Sequence, residues 1–202
     1  MELFKIKTTG ILLGFLFFIN FPLFAEKCKF SYSRQKTTLG WTAFKFTEKT
    51  GVKGQLKTFD ITAKPGSLND VLSSIEFTIT TSSVDTSNPE RDKKIIQYFF
   101  EKLADGKTIK GKFISVEGKQ KGKILARITM NGISKNVKLK YTIQDDLVTI
   151  DGKINLKQWS AETAIASLNE KCKDLHTGKD GKSILWPEVD IHIESKLDKT
   201  CS

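Results

Sequence analysis

The stretch Lys123–Ile143, KILARITMNGISKNVKLKYTI, decides the fold. Ile124, Ala126, Ile128 and Met130 alternate with Lys123, Leu125, Arg127 and Thr129, and beyond Asn131-Gly132 the same period of two resumes at Val137, Leu139, Tyr141 and Ile143. A period of two with one apolar face predicts strands half-buried in an antiparallel sheet. Asn-Gly is the strongest two-residue hairpin signal, because both turn positions need a positive φ.

The same pattern extends in both directions. Upstream, Ile75, Phe77 and Ile79 alternate with Glu76, Thr78 and Thr80; downstream of Asp145-Asp146, read as a turn, come Val148, Ile150, Gly152 and Ile154, and near the end Val189, Ile191 and Ile193. With Phe30 and Tyr32, Leu39 to Phe46, Gln55 to Ala63 and Lys107 to Val116, the chain offers eight or nine strands. Only one segment reads as a full helix. Ser87 and Glu90 form a capping-box pattern around Pro89, then Ile95, Ile96, Phe99, Phe100 and Leu103 recur at helical spacing before Asp105-Gly106. A shorter helical turn is expected at Ser67 to Leu72.

Many strands with one inserted amphipathic helix predict an all-β antiparallel barrel, since closure removes the edges through which an open sheet aggregates. About eight strands leave an interior that side chains can fill or that can hold one small ligand. Ala43, Gly111, Ala126 and Gly152 interleave with Trp41, Phe77 and Ile128 at inward positions. Small residues leave room, so the inside is either an apolar cavity, with the helix over one opening, or a packed core. Neither is selected by the sequence alone.

The chain has 202 residues, 33 Lys plus Arg against 23 Asp plus Glu, a net charge of +10 and 39% hydrophobic residues. This excludes disorder and fibrous classes. Lys5 and Lys7 precede an apolar run from Ile11 to Phe24 that ends at Ala25. The order is that of a secretory signal peptide over residues 1–25. Asn20 and Pro22 interrupt the run, which is shorter than the roughly 20 residues a membrane helix needs. The mature domain, residues 26–202, is therefore expected outside the cytoplasm, which for a bacterial chain with this leader would be the periplasm. Its cations are nearly all lysine, with only Arg34, Arg91 and Arg127 as arginine. Nucleic-acid readers lean on the bidentate Arg fork, so a solvated basic face, able to meet an anionic membrane surface transiently, is the reading.

Three cysteines allow one intramolecular bridge. Cys28 heads the first mature strand and Cys201 ends the last, so antiparallel neighbours would bring them together and leave Cys172 spare. His176 and His192 read as surface residues, and no Cys/His cluster points to a metal. Ser82, Ser83 and Ser87 belong to no nucleophile motif. No cofactor is expected.

Ser82-Ser83-Val84-Asp85-Thr86, Asn88-Pro89-Glu90-Arg91-Asp92 and Phe99-Phe100 together resemble the hallmark of the YceI-like family of secreted bacterial lipid-binding proteins. Gly40 to Lys45, Gly51 to Gly54 and Ile128 to Ile133 support the likeness, which runs from about Phe30 to Leu197. The resemblance implies an extended, lipocalin-like, eight-stranded barrel with a helix beside it and a long isoprenoid or fatty chain along the axis. The chain departs from the family at Ser33 to Thr38, which lacks the usual His, and at Ile154 to Ser160, which keeps only Ile-Asn. The loop from Ala161 to Lys182 is longer and more polar than expected, and it and Trp159 are candidates for a barrel mouth.

Trp41, Phe77, Ile79, Phe99, Phe100 and Ile128 are the expected ligand-facing residues, with one of the adjacent Phe rings plugging the barrel and the other packing outside. Asp85, Arg91 and Asp92 are assigned a structural role, Arg91 pairing with Asp85 to hold the helix, with contact to a ligand head group as the lesser alternative for Arg91 and Asp92. The expected function is carriage of a polyisoprenoid, quinone or fatty chain by a monomer or homodimer. A ligand-free module whose Lys-rich face binds an anionic partner is the alternative, and a lipid-directed enzyme, lacking a catalytic constellation, is the weakest reading.

Overall fold

The computed structural model describes residues 27–202. The expected signal peptide lies outside the described residues. Within them the alternating segments become strands: β1 (Cys28–Ser31), β2 (Thr37–Lys45), β3 (Thr50–Leu56) and β4 (Phe59–Thr62). After α1 (Leu68–Ser73) follow β5 (Glu76–Thr80) and β6 (Val84–Asp85), then α2 (Pro89–Tyr98). Next come β7 (Thr108–Gly118), β8 (Lys121–Met130), β9 (Ile133–Gln144) and β10 (Leu147–Asn155). The chain ends with α3 (Glu162–Lys171), α4 (Lys173–His176), β11 (Leu185–Lys196) and β12 (Asp198–Cys201).

The hairpin at the centre of the sequence argument forms as its residues dictate. Asn131 and Gly132 take φ of 52° and 70°, as the turn requires. Ile124, Ala126, Ile128 and Met130 then face inward beside Val137, Leu139, Tyr141 and Ile143, all buried. Each large apolar side chain removed from water here stabilises the fold by about 1.5–3 kcal/mol.

Ten strands form one curled antiparallel sheet in the order β4-β5-β7-β8-β9-β10-β11-β2-β3-β6. The expected closed eight-stranded barrel is corrected to an open sheet of ten strands, in which one expected strand is broken in two and the two-residue β6, not expected as a strand, is added after β5 in the chain. Lys57 and Thr58 interrupt the segment read as Gln55 to Ala63, and a 3-10 turn at Thr81–Ser83 separates β5 from β6. Arg34 fills the first break: its Nε donates to the Phe59 carbonyl at 3.0 Å, its Nη2 donates to the Lys57 carbonyl, and its guanidinium lies 3.6 Å over the Phe59 ring. Across the breaks, Lys57 N donates to Ser83 O (3.1 Å) and Thr80 N to Thr58 O (2.9 Å).

β1 and β12 pair outside this sheet as a two-stranded ribbon, with Cys28 opposite Cys201 and the two bonded as a disulfide. The predicted pair is correct, and Cys172 is left as a buried free thiol. Leu197, between β11 and β12, is buried and anchors the ribbon to the core. α1 sits at this same end, joining β4 to β5, and starts in a capping box in which Ser67 Oγ accepts from Asp70 N and Asp70 Oδ2 from Ser67 N.

The opposite end is covered by α2 and α3, which pack on each other. The N-cap of α2 is Asn88 rather than Ser87: its side chain accepts from Arg91 N at 3.0 Å, while Ser87 takes a positive φ of 59°. α3 corrects the reading of Ala161 to Lys182 as a polar loop. Ala161, Ala164, Ile165, Leu168 and Cys172 share its buried face, a helical period whose small Ala members make it faint in sequence.

Candidate functional site

The sheet's curl encloses a cavity of about 250 Å3 with almost wholly apolar walls. A single water takes roughly 10–15 Å3 on the same measure, so this is far more than a packing defect. The cavity extends from Val71 and Leu72 of α1 to Phe99 and Ile165 under the helical cover.

Cross-strand register explains why it stays open. Trp41 pairs with Gly54, Phe77 with Gly111 and Leu139 with Gly152. A Cβ added at Gly54 would lie 2.3 Å from Trp41 Cζ2, one at Gly111 2.4 Å from Phe77 Cζ, and one at Gly152 2.2 Å from Leu139 Cδ2. Each large side chain therefore lies flat over a glycine in the neighbouring strand instead of projecting across the lumen. The glycines keep the centre clear by accepting their neighbours, a pairing that needs the register and could not be read from the residues alone.

All six residues expected to face a ligand, Trp41, Phe77, Ile79, Phe99, Phe100 and Ile128, line this cavity. The division of labour between the two Phe rings is corrected, because both line it. Phe99 ends α2 with φ −115° and Phe100 opens a 3-10 turn, so the 100° step of a continuous helix does not apply. Their rings meet edge to face, 5.0 Å apart.

Trp159 is fully buried, donating Nε1–H to Ile128 O at 3.2 Å. Asn131 ties this end together: its Oδ1 accepts from Ala104 N (2.6 Å) and its Nδ2 donates to Trp159 O (2.8 Å). One hairpin-turn residue thus holds both segments that follow α2 and precede α3.

The Asp85, Arg91 and Asp92 group centres on Thr86, which is buried. Asp92 Oδ1 accepts from Thr86 N (3.0 Å) and Thr86 Oγ1 (2.5 Å), while Arg91 donates from Nε to Thr86 Oγ1 and from Nη2 to Thr86 O, both at 2.8 Å. The expected Arg91–Asp85 pair is replaced by this lock. Asp85 instead accepts from Ser87 N at 2.8 Å and faces Lys57 at 3.7 Å. A short Thr that both donates and accepts satisfies the junction more fully than one ion pair would.

Beside the helical end lies a second cavity of about 260 Å3, with Trp41, Ala43, Ile95, Leu168 and Leu185 common to both. Its remaining lining includes Lys45, Glu90, Arg91, Lys94, Cys172 and His176. His176 is half-buried, not a surface residue, and its pKa is lowered to about 4 by burial and by Lys45 and Lys94. Its Nδ1 lies 3.0 Å from Asn169 Oδ1, and Asn169 Nδ2 donates to Ser183 O, so the amide oxygen faces a ring N–H. Burial raises the Cys172 thiol pKa, which leaves it protonated and unreactive. His192, exposed on β11, pairs with Asp151 at 2.7 Å. No cluster able to hold a metal is found among the described residues.

The family model described as YceI-like domain matches residues 30–197. No match is found among curated proteins. Burkholderia cenocepacia BcnA is similar in structure at 15% identity, covering 83% of this chain and 99% of its own, with a TM-score of 0.60. A polyisoprenoid binding domain from Saccharophagus degradans, implicated in plant cell wall breakdown, is similar at 12% identity, 87% and 99% coverage and TM-score 0.60. Campylobacter jejuni YCEI protein is similar at 20% identity, 79% and 90% coverage and TM-score 0.53. At these identities the likeness establishes the fold.

Proposed function

Starting from the chain's membership of the YceI-like family, we propose that it is a binding protein, not an enzyme, that carries a long apolar molecule of the polyisoprenoid, quinone or fatty-chain class. The observation that carries this reading is the open cavity of about 250 Å3 with its apolar walls. Each methylene taken out of water into such a site contributes about 0.8 kcal/mol, so a chain of ten or more would bind tightly without any polar contact. Trp41, Phe77, Ile79, Phe99, Phe100 and Ile128 are its proposed contact residues. The Saccharophagus degradans neighbour, described as a polyisoprenoid binding domain, supports the ligand class.

Enclosure of such a chain is supported by the way the sheet's end strands meet. β4 pairs with β5 and β3 with β6. We read β3–β4 and β5–β6 as two bent strands of an eight-stranded barrel, a closure that these two pairings favour. The Cys28–Cys201 bond favours an oxidising compartment, and the periplasm is the proposed location. The lysine-rich exterior then guides transient approach to anionic lipid, with the protein acting as a monomer or homodimer. A solid-cored interaction module is disfavoured by the cavity.

The test is organic extraction and mass spectrometry of the purified protein, paired with titration by a fluorescent apolar probe. A stoichiometric apolar molecule, or saturable probe binding to the emptied protein, is the expected result. Finding neither would overturn carriage.

A further inference from the structure

The second cavity is chemically unlike the first although they share walls. Its rim carries three cations, Lys45 on β2 and Arg91 and Lys94 on α2, against one carboxylate, Glu90, which lies 3.0 Å from Lys93. Among the described residues, none of Lys45, Arg91 and Lys94 is within ion-pair distance of an acid. Lys45 is held in position: its Nζ donates to Leu175 O at 2.8 Å and sits 4.4 Å from the Phe46 ring centre. Cations gathered and half-buried with no counter-charge repel one another, and a ligand that brings the missing charge relieves that repulsion.

We infer that this vestibule binds an anionic head group, a carboxylate or a phosphate, at the end of the same chain that fills the apolar cavity. The inference rests on the carriage reading above and adds the class of head. Trp41, Ala43, Ile95, Leu168 and Leu185 border both spaces, so an amphiphile whose tail fills the apolar cavity has only this shared wall of side chains between its head and the cations. The tail is then desolvated along the sheet while the head meets Lys45 and Lys94. The lowered pKa of Lys45, caused by burial and then by Arg91, fits a site with excess positive charge.

His176 supplies an internal reporter. The charged and titratable groups lining its vestibule are Lys45 from β2, Glu90, Arg91 and Lys94 from α2, and Cys172 at the end of α3, while Asn169 of α3 accepts from its ring. Lys45 and Lys94 help hold the ring neutral. An anion seated between them cancels that effect, and the His176 pKa rises from about 4.

The experiment compares hexadecanoate, hexadecyl phosphate and hexadecanol, which share one tail, in displacing a fluorescent apolar probe from the full protein at neutral pH and low salt. The expected result is that at least one anion binds about tenfold or more tighter than the alcohol, a margin that shrinks with salt; the tighter of the two anions identifies the head. In the Lys45→Gln, Lys94→Gln double variant the margin should collapse while hexadecanol affinity, which reports an intact fold, is unchanged. Lys121→Gln, Lys123→Gln, with the same charge loss on β8, should keep the margin. NMR titration should show the His176 pKa rising with anion bound. Equal binding of all three ligands, or a margin untouched by the Lys45 and Lys94 changes, overturns the head-group site and leaves carriage standing. Failure of all three to displace a saturably bound probe also overturns the head-group site and leaves carriage standing, whereas a probe that does not bind, with no apolar molecule extracted, removes carriage and the head-group site with it.

Discussion

The two ends of the cavity are built on different principles. At one, the β1–β12 ribbon is joined by a backbone ladder and the Cys28–Cys201 bond, and Phe30 exchanges two backbone hydrogen bonds with Gly66. At the other, α2 and α3 rest on packed side chains, on the Thr86 lock and on Asn131. A ladder and a covalent bond do not open in small steps, whereas a side-chain cover can shift when a few contacts exchange. On the carriage proposal, the ribbon end is expected to act as a floor and the helical end, where the basic vestibule also lies, as the mouth.

The largest expected effect tests the mouth. Trp159→Ala removes a fully buried indole and its bond to Ile128 O, and should cost about 3–5 kcal/mol, read as a fall in the denaturation midpoint; a loss below 1 kcal/mol would show that this end is not held by packing. Next, Cys28→Ser with Cys201→Ser at the floor should cost about 2–4 kcal/mol by freeing a long loop, yet leave probe affinity and off-rate unchanged in the folded protein. Faster ligand release from that variant would reverse the assignment of floor and mouth. Arg91→Ala strips the Thr86 carbonyl and hydroxyl of donors and should cost about 1–3 kcal/mol while speeding release, measured by stopped-flow probe displacement.

The smallest effect is a pH dependence. His176 titrates near 4 in the fold against an ordinary 6.5, so between those values the unfolded chain binds more protons and stability falls as pH drops. With the ring only half-buried, solvent screening holds the effect to about 1 kcal/mol. His176→Asn should remove this component, so the stability gap between wild type and variant shifts against wild type from pH 6.5 down to 4. His192 runs the other way. Asp151 raises its pKa, so its small contribution is complete below about 6.5 and fades as pH rises through the raised value. A gap that stays constant with pH would place His176 in open solvent.

Legibility followed the range of the interaction. The central hairpin and the inward faces of β8 to β10 were readable because strand alternation is a local feature with one geometric outcome, while the disulfide pair followed only if the first and last strands were neighbours, which the separate β1–β12 ribbon makes them. α3 was missed because Ala161 and Ala164 carry little apolar signal, and the cap of α2 moved by one residue because Ser87 adopted a left-handed conformation. The Arg91–Asp85 pair failed for a further reason: sequence shows which charges are near, not that Thr86 sits between them. Of the site, the six wall residues were legible as inward apolar positions, but Gly54, Lys45, Lys94 and His176 were not.

By itself the amino-acid order determined an antiparallel β protein, its principal helix and which faces turn inward, since periodicity and turn chemistry act over a few residues. Whether the inside is filled or open was decided only in three dimensions. The same Trp, Phe and Leu would close the lumen or line it depending on whether a glycine lies across the ladder, and that depends on register between strands far apart in the chain. The gathering of cations beside the apolar cavity is likewise a product of packing, because β2, α2 and α4 become neighbours only when the sheet has curled.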